Sequence, residues 1–150
     1  MTTLKKGNKA PSFSAKDQDG IVHSLADFKG KKLVVFFYPK ANTPSCTAEA
    51  CDLRDNFERF QANNYAILGV SADSEKAQFK FKEKFNFQYP LLADEDKTVI
   101  QAFGVWGPKR FMGKEYDGIH RTTFIIDENG IIEEVISDVK TKAHAAQILK

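Results

Sequence analysis

No apolar run in this chain approaches the length of a membrane span, and its start lacks the charged segment and long apolar stretch of a secretory leader. A soluble cytoplasmic protein with no membrane partner is expected. Charge of one sign is missing too: 22 basic residues meet 20 acidic ones, a formal net charge of +2. The lysines are interspersed with acids, which argues against a nucleic-acid partner. Cysteine is scarce, at two in 150 residues, and in an intracellular protein such thiols are more often reactive or simply buried than part of a structural disulfide. The three histidines, His23, His120 and His144, stand singly. Cys46 and Cys51 would need two further ligands from among them to hold a metal, so no metal site is expected. Each histidine is read as a surface or hydrogen-bonded residue. No repeat, low-complexity segment or linker divides the chain, and a single domain over residues 1–150 is expected.

What is present suits one sizeable core: 42% apolar residues, among them 13 Phe. The stretch Leu33-Val34-Val35-Phe36-Phe37-Tyr38, closed by Pro39, is an uninterrupted apolar run suited to a strand buried on both faces. After it come a polar turn, Lys40 to Ser45, and a helical pattern opened by Cys46-Thr47-Ala48-Glu49-Ala50-Cys51. Thr43 is a good cap residue and Pro44 suits a first helical position. Cys46 is thereby expected in the first helical turn, where unpaired N–H groups favour an anion.

Along the rest of the chain, Ala10-Pro11 reads as extended and Asp19-Gly20 as the turn of a small hairpin running from Phe13 to Leu25. The cysteine helix is expected to run on through Leu53, Phe57 and Phe60 to Asn63-Asn64, with Asp52, Asp55, Glu58 and Arg59 exposed. Tyr65 to Val70 predicts a strand, Asp73 or Ser74 caps a helix carrying Ala77, Phe81 and Phe85, and Pro90 to Ala93 is a short strand. Asp94 to Phe103 predicts a short helix. Gly104 to Gly118, rich in glycine and holding Trp106, reads as one long irregular stretch, with Trp106 a packed loop anchor. Thr122 to Asp127 and Ile131 to Ile136 form a hairpin through Glu128-Asn129-Gly130, and Lys140 to Leu149 closes with a helix. Phe57, Phe60, Phe81 and Phe85 are read as core. Alternating strands and helices predict an α/β fold with a mixed central sheet flanked by helices.

Pro39, Thr43 and Cys46 have the Pro-x-x-x-Thr-x-x-Cys spacing of the peroxiredoxins, and the run from Tyr38-Pro39-Lys40 to Glu49-Ala50-Cys51 resembles their bacterioferritin comigratory, or Q-type, branch. The resemblance resumes at Gly104-Val105-Trp106-Gly107, Met112-Gly113-Lys114 and Gly118-Ile119, then at Arg121-Thr122-Thr123-Phe124-Ile125-Ile126-Asp127. Ser45, where glycine is common, and Ala41, where an acid is usual, depart from the branch and bear on rate rather than on which thiol reacts. The resemblance implies a thioredoxin-like fold and a monomeric peroxidase that reduces hydrogen peroxide and organic hydroperoxides without metal, haem or other cofactor. It implies Cys46 as nucleophile, Cys51 as the thiol that resolves its sulfenic acid into an intramolecular disulfide, and thioredoxin as reductant. It selects Arg121 as the activating cation; the Thr43 hydroxyl, the Cys46 backbone N–H and Arg121 are suited to holding the peroxide and stabilising the departing oxygen, with Pro39 shielding the site from water. Glu49, on the helical face of Cys46, suits the task of orienting that arginine.

The chemistry asks for such a cation. A free cysteine, with a pKa of about 8.5, is only about 3% ionised at neutral pH. Reaching roughly 90% thiolate takes about 3.4 kcal/mol of preferential stabilisation. A helix N-terminus supplies about 0.3 to 1 kcal/mol, or up to about 2 when partly buried. A guanidinium about 4 Å away adds roughly 4 kcal/mol at an effective dielectric constant near 20, before its own desolvation. Arg54, on the cysteine helix, is the rival arginine and is read as an ion-pairing residue. A protein thiol–disulfide oxidoreductase is a weaker reading, because the Cys-x-x-Cys spacing is missing. A redox sensor whose helix opens to expose a partner surface is the rival from outside enzymes.

Overall fold

In the computed structural model, which describes residues 2–149, the Leu33 run becomes the middle of a five-stranded mixed sheet. The strands are β1 (Ser14–Lys16), β2 (Val22–Ser24), β3 (Lys32–Phe37), β4 (Tyr65–Ser71), β5 (Leu91–Ala93), β6 (Trp106–Phe111), β7 (Lys114–Ile119), β8 (Thr122–Ile126) and β9 (Ile132–Ile136). The helices are α1 (Pro44–Asp55), α2 (Phe57–Ala62), α3 (Glu75–Phe85), α4 (Thr98–Ala102) and α5 (His144–Ile148). The central sheet has the order β5-β4-β3-β8-β9, while β1-β2 and β6-β7 are separate two-stranded ribbons. Strands β3, β4 and β5 run parallel, and β8 and β9 complete the sheet antiparallel.

Period-two alternation in β3 divides the core. Leu33, Val35 and Phe37 face a layer with Val99, Ile100 and Phe103 of α4 and its C-terminal end. Val34, Phe36 and Tyr38 face the other side, with Cys46, Ala50 and Leu53 of α1, Phe60, Phe81 and Ile148. Fully burying a large apolar side chain contributes about 1.5 to 3 kcal/mol, and β3 does so toward both layers at once. The expected α/β architecture with a mixed sheet between helices is the one observed.

Several boundaries differ from the pattern reading. The cysteine helix does not run through to Asn63: Asn56, at φ −109° and ψ 13°, interrupts it and turns its amide back to the Asp52 carbonyl at 2.8 Å. Phe57, just past the break, is only half-buried, as is Phe85, whereas Phe60 and Phe81 are core. Asp52 is not a free surface acid, because its Oδ2 accepts the Ala145 N–H at 2.7 Å. Gly104 to Gly118 is not irregular. It holds the β6–β7 hairpin, turned by Met112 and Gly113 at positive φ of 52° and 79°, a turn favouring Asn-Gly and so poorly signalled by Met-Gly. Trp106 is accordingly on a strand, packed against the core beneath Lys97.

The last two helices are shorter than the pattern suggested. Asp94 caps α4 from outside by accepting the Val99 and Ile100 N–H groups. Segment 140–143 is a turn before α5. Ser74 rather than Asp73 caps α3, accepting the Ala77 N–H at 3.1 Å.

Candidate active site

The site forms where β3 ends and α1 begins. In the register of the sheet Phe37 lies opposite Thr122, so the residue before β8 comes level with the end of β3. That residue is Arg121. Cys46 is the third residue of α1, 1% exposed. Arg121 donates from Nη2 to Cys46 Sγ at 3.2 Å and from Nη1 to Glu49 Oε1 at 2.7 Å. One planar guanidinium thus spans both groups, which sit three residues apart on one helical face. Burial works against the charge on Arg121, but Cys46 and Glu49 outweigh it and raise the pKa above its ordinary value. Burial pushes the Glu49 carboxyl up to about 7, even though Arg121 pulls the other way.

Thr43 occupies the cap position of α1, but its hydroxyl does not cap the helix. It donates to the Lys40 carbonyl at 2.8 Å, closing the polar turn. Pro44, with no N–H, takes the first helical position. Pro39 is half-buried between Tyr38 and this turn. Cys51 is half-buried on the same unbroken helix as Cys46, and both thiols are free. Burial raises the Cys51 pKa, with Arg54 opposing and Asp55 adding to the shift. Arg54 is occupied elsewhere, pairing with Asp55 at 2.9 Å and the Phe85 carbonyl at 2.9 Å.

Further residues that the sequence pattern did not place at the site contribute to it. Tyr89 donates its hydroxyl to the Ala50 carbonyl at 2.7 Å. Asp73 accepts the Ala41 N–H at 2.8 Å and the Ser71 hydroxyl at 2.6 Å. Behind it, Gln78 donates to Ser71 and accepts from the Tyr38 hydroxyl, so the turn before α1 is tied to β4 and α3. Lys109, whose Nζ donates to the Ile119 carbonyl at 2.9 Å, is a second cation near Cys46. Its pKa is lowered by burial and by Arg121, while Cys46 opposes the shift. His144, fully buried, stands behind Glu49 with its Nε2 3.5 Å from Oε2. Hydrogen bonds hold the other histidines as expected, His23 to Asp17 and His120 to the Pro108 carbonyl. Only the Asp73 network had a partial signal, since Asp73 stood out as a candidate cap.

Among the described residues no group of three or more His, Cys, Asp or Glu side chains could hold a metal, and no helix is long and apolar enough to cross a membrane.

Comparison with known proteins identifies the family and the fold. The AhpC/TSA family pattern matches residues 6–135. Peroxiredoxin Bcp of Escherichia coli is 49% identical over 149 residues, covering 99% of this chain and 96% of that protein. A crystal structure of a cysteine-to-serine mutant of PrxQ from Xylella fastidiosa superposes with a TM-score of 0.92 at 30% identity, over 99% of this chain and 95% of that one. A structure of the Xanthomonas campestris bacterioferritin comigratory protein, described by its alkyl peroxide reduction activity and trapped intermediate and ligand complexes, has a TM-score of 0.86. It is 34% identical over 91% of this chain and 87% of its own. The fold is thioredoxin-like, as in these neighbours. With a buried thiol under an arginine at a helix start and kinship along nearly its whole length, the chain belongs to the AhpC/TSA family, in its Bcp/PrxQ peroxiredoxin branch, whose members are thiol peroxidases.

Proposed function

We propose that this protein reduces hydrogen peroxide and small organic hydroperoxides, with Cys46 as nucleophile, Cys51 as resolving thiol and thioredoxin or a similar dithiol as reductant. The observation that carries the reading is the 3.2 Å contact from Arg121 to Cys46 Sγ at the first turn of α1. The Cys46 thiolate attacks the terminal oxygen of the peroxide and the O–O bond breaks. Sulfur keeps the OH as a sulfenic acid, and the departing oxygen leaves as water or alcohol after taking a proton. Arg121 and the backbone N–H of Cys46 are suited to stabilising the charge that grows on that oxygen. Glu49 holds the guanidinium in place, Pro39 shields the site from water, and Thr43, whose hydroxyl closes the turn on the Lys40 carbonyl, shapes its rim. The 1% exposure of Cys46 favours peroxides that are slender at the reacting end.

Cys51 then displaces the sulfenic hydroxyl as water, forming a Cys46–Cys51 disulfide. Residues five apart on an α-helix have Cα atoms roughly 9 Å apart, whereas a disulfide tolerates about 7 Å at most. The turns between Pro44 and about Leu53 therefore unwind in each cycle. An external dithiol returns both sulfurs to thiols, a cycle suited to the reducing cytoplasm. The protein acts as a monomer, since one chain provides every group used in peroxide reduction and disulfide formation.

Intact-mass spectrometry after one equivalent of peroxide tests the reading. The parent should lose two hydrogens, and Cys51→Ser should gain one oxygen. An unchanged mass in both would overturn it.

A further inference from the structure

The polar groups behind Arg121 are unevenly satisfied. Glu49 is 0% exposed, and its Oε1 is taken by Arg121. Its Oε2 is the one buried side-chain nitrogen or oxygen without a hydrogen bond among the described residues. Facing that oxygen is His144 Nε2, at 3.5 Å. A buried carboxylate oxygen with no donor is costly, so the protons of this pair matter.

Gln147 settles which ring nitrogen of His144 carries hydrogen. Its Nε2 donates to the Asp138 carbonyl and its Oε1 accepts the Lys140 N–H, both at 2.9 Å, which fixes the orientation of the amide. His144 Nδ1 is 2.7 Å from that same Oε1. Facing an acceptor, Nδ1 must hold a hydrogen. In a neutral imidazole Nε2 is then bare, and the Thr123 hydroxyl points to it at 2.7 Å. An ionised Oε2 would meet a lone pair instead of a donor. One added proton removes the conflict, with the Thr123 hydroxyl turning to suit it. On Oε2 the proton takes the Nε2 lone pair in place of the Thr123 hydrogen, and on Nε2 it pairs an imidazolium with the carboxylate while Thr123 Oγ accepts.

We propose that His144 is a positioning residue for peroxide reduction: it and Glu49 hold one proton between Nε2 and Oε2, and that proton leaves the charge of Arg121 free for Cys46. With the proton present, the sulfur is the one uncompensated anion that the guanidinium meets. Without it, the Glu49 carboxylate and the Cys46 thiolate divide a single cation. Burial pushes Glu49 up to about 7 and His144 below its ordinary range, which favours Oε2 as the proton's seat. The other titratable groups around the pair are few. Arg121 comes from the β7–β8 connection, Cys46 and Asp52 lie on α1, and the buried Tyr89 phenol reaches α1 at Ala50. Asp52 favours a charged His144, and Arg121 disfavours it. The effect on rate rests on the peroxidase reading above, whereas the proton itself does not.

The test has two arms. In the reduced protein without peroxide, NMR of the Glu49 side-chain carbon and the His144 ring nitrogens should show a hydrogen on Nδ1 throughout. Both residues should respond at one shared midpoint near neutral pH. A Glu49 carboxyl that stays flat from pH 5 to 9 while His144 titrates alone would overturn the proposal. In stopped-flow oxidation of Cys46, His144→Phe, which fills the site without a nitrogen, should react about tenfold more slowly with an altered pH profile. His144→Gln, which offers an oxygen near the Nε2 position, should recover to within about threefold. Equal rates and pH profiles for the parent and His144→Phe would also overturn it. Should His144→Phe fail to fold, the titration decides alone.

Discussion

Tyr89 donates its hydroxyl to the carbonyl of Ala50, 2.7 Å away, inside the helix that separates Cys46 from Cys51. The bond comes from the segment just before β5 and closes on a mid-helix carbonyl, so it clamps the turns that the proposed cycle opens. A buried hydrogen bond is worth about 1 kcal/mol net. Tyr89→Phe keeps the ring among Phe36, Phe57 and Phe87 and removes only the clamp. We expect disulfide formation after peroxide to run about fivefold faster in this variant, with the preceding oxidation of Cys46 unchanged. Rapid-quench mass spectrometry separates the two steps. Equal rates of disulfide formation would show that the clamp does not control opening.

Arg121→Ala removes the cation from Cys46 and unties Glu49 in one step. An interaction of about 3 kcal/mol corresponds to a loss of roughly 100-fold or more in peroxide reduction. Arg121→Lys should restore only part of it, because an ammonium cannot reproduce the fork that reaches both Sγ and Oε1. A stopped-flow rate for the alanine variant within threefold of the parent would remove Arg121 from the mechanism.

The opening of α1 should be visible directly. Amides from Thr47 to Arg54 are expected to exchange at least tenfold faster in the disulfide form than in the dithiol, because an intact helix cannot bring the two Cα atoms close enough. Hydrogen exchange followed by mass spectrometry checks this, and equally slow exchange in both states would contradict local unwinding.

Glu49 gives stability a pH signature with a definite sign. Its folded pKa of about 7 lies above the unfolded value of about 4.3, so the folded state binds more protons between the two. The stabilisation linked to this carboxyl is full below the unfolded value and is lost as pH rises toward the folded one. Buried His144 has the opposite sign: its lowered pKa makes stability rise with pH until the ordinary histidine value is reached. The difference between the parent and Glu49→Gln reports the carboxyl together with its coupling to His144. Relative to the variant, the parent should lose on the order of 1 to 3 kcal/mol between about pH 4.5 and 7. Urea unfolding at several pH values reads this, and a flat difference would show that Glu49 ionises normally.

Much of this molecule was legible in the chain because the informative residues are local. The β3 run, the Pro44 start of α1, the Asp19-Gly20 and Asn129-Gly130 turns and the Cys46–Cys51 spacing all act over a few residues. Arg121 was selected only by family pattern, since nothing local distinguishes it from Arg54; the register of Phe37 with Thr122 separates them. The β6–β7 hairpin was missed because Met112-Gly113 is an uncommon pair for its turn. The break at Asn56 was hidden by apolar spacing that continued across it. His144 and Tyr89 had no signal, since each meets α1 from a distant part of the chain and only the folded packing shows what it touches.

The Ala41–Asp73 contact has a consequence for where motion stops. Asp73 receives the Ala41 N–H and is braced in turn by Ser71, Gln78 and Tyr38, so in the proposed cycle the chain as far as Ala41 would stay moored to the sheet while α1 unwinds. In that cycle Cys46 would swing on a short tether and, once both sulfurs are thiols again, rewind from a fixed starting point. Under the proposed mechanism, a peroxidase built this way would discard and rebuild its reactive centre on every turnover without disturbing the sheet beneath it.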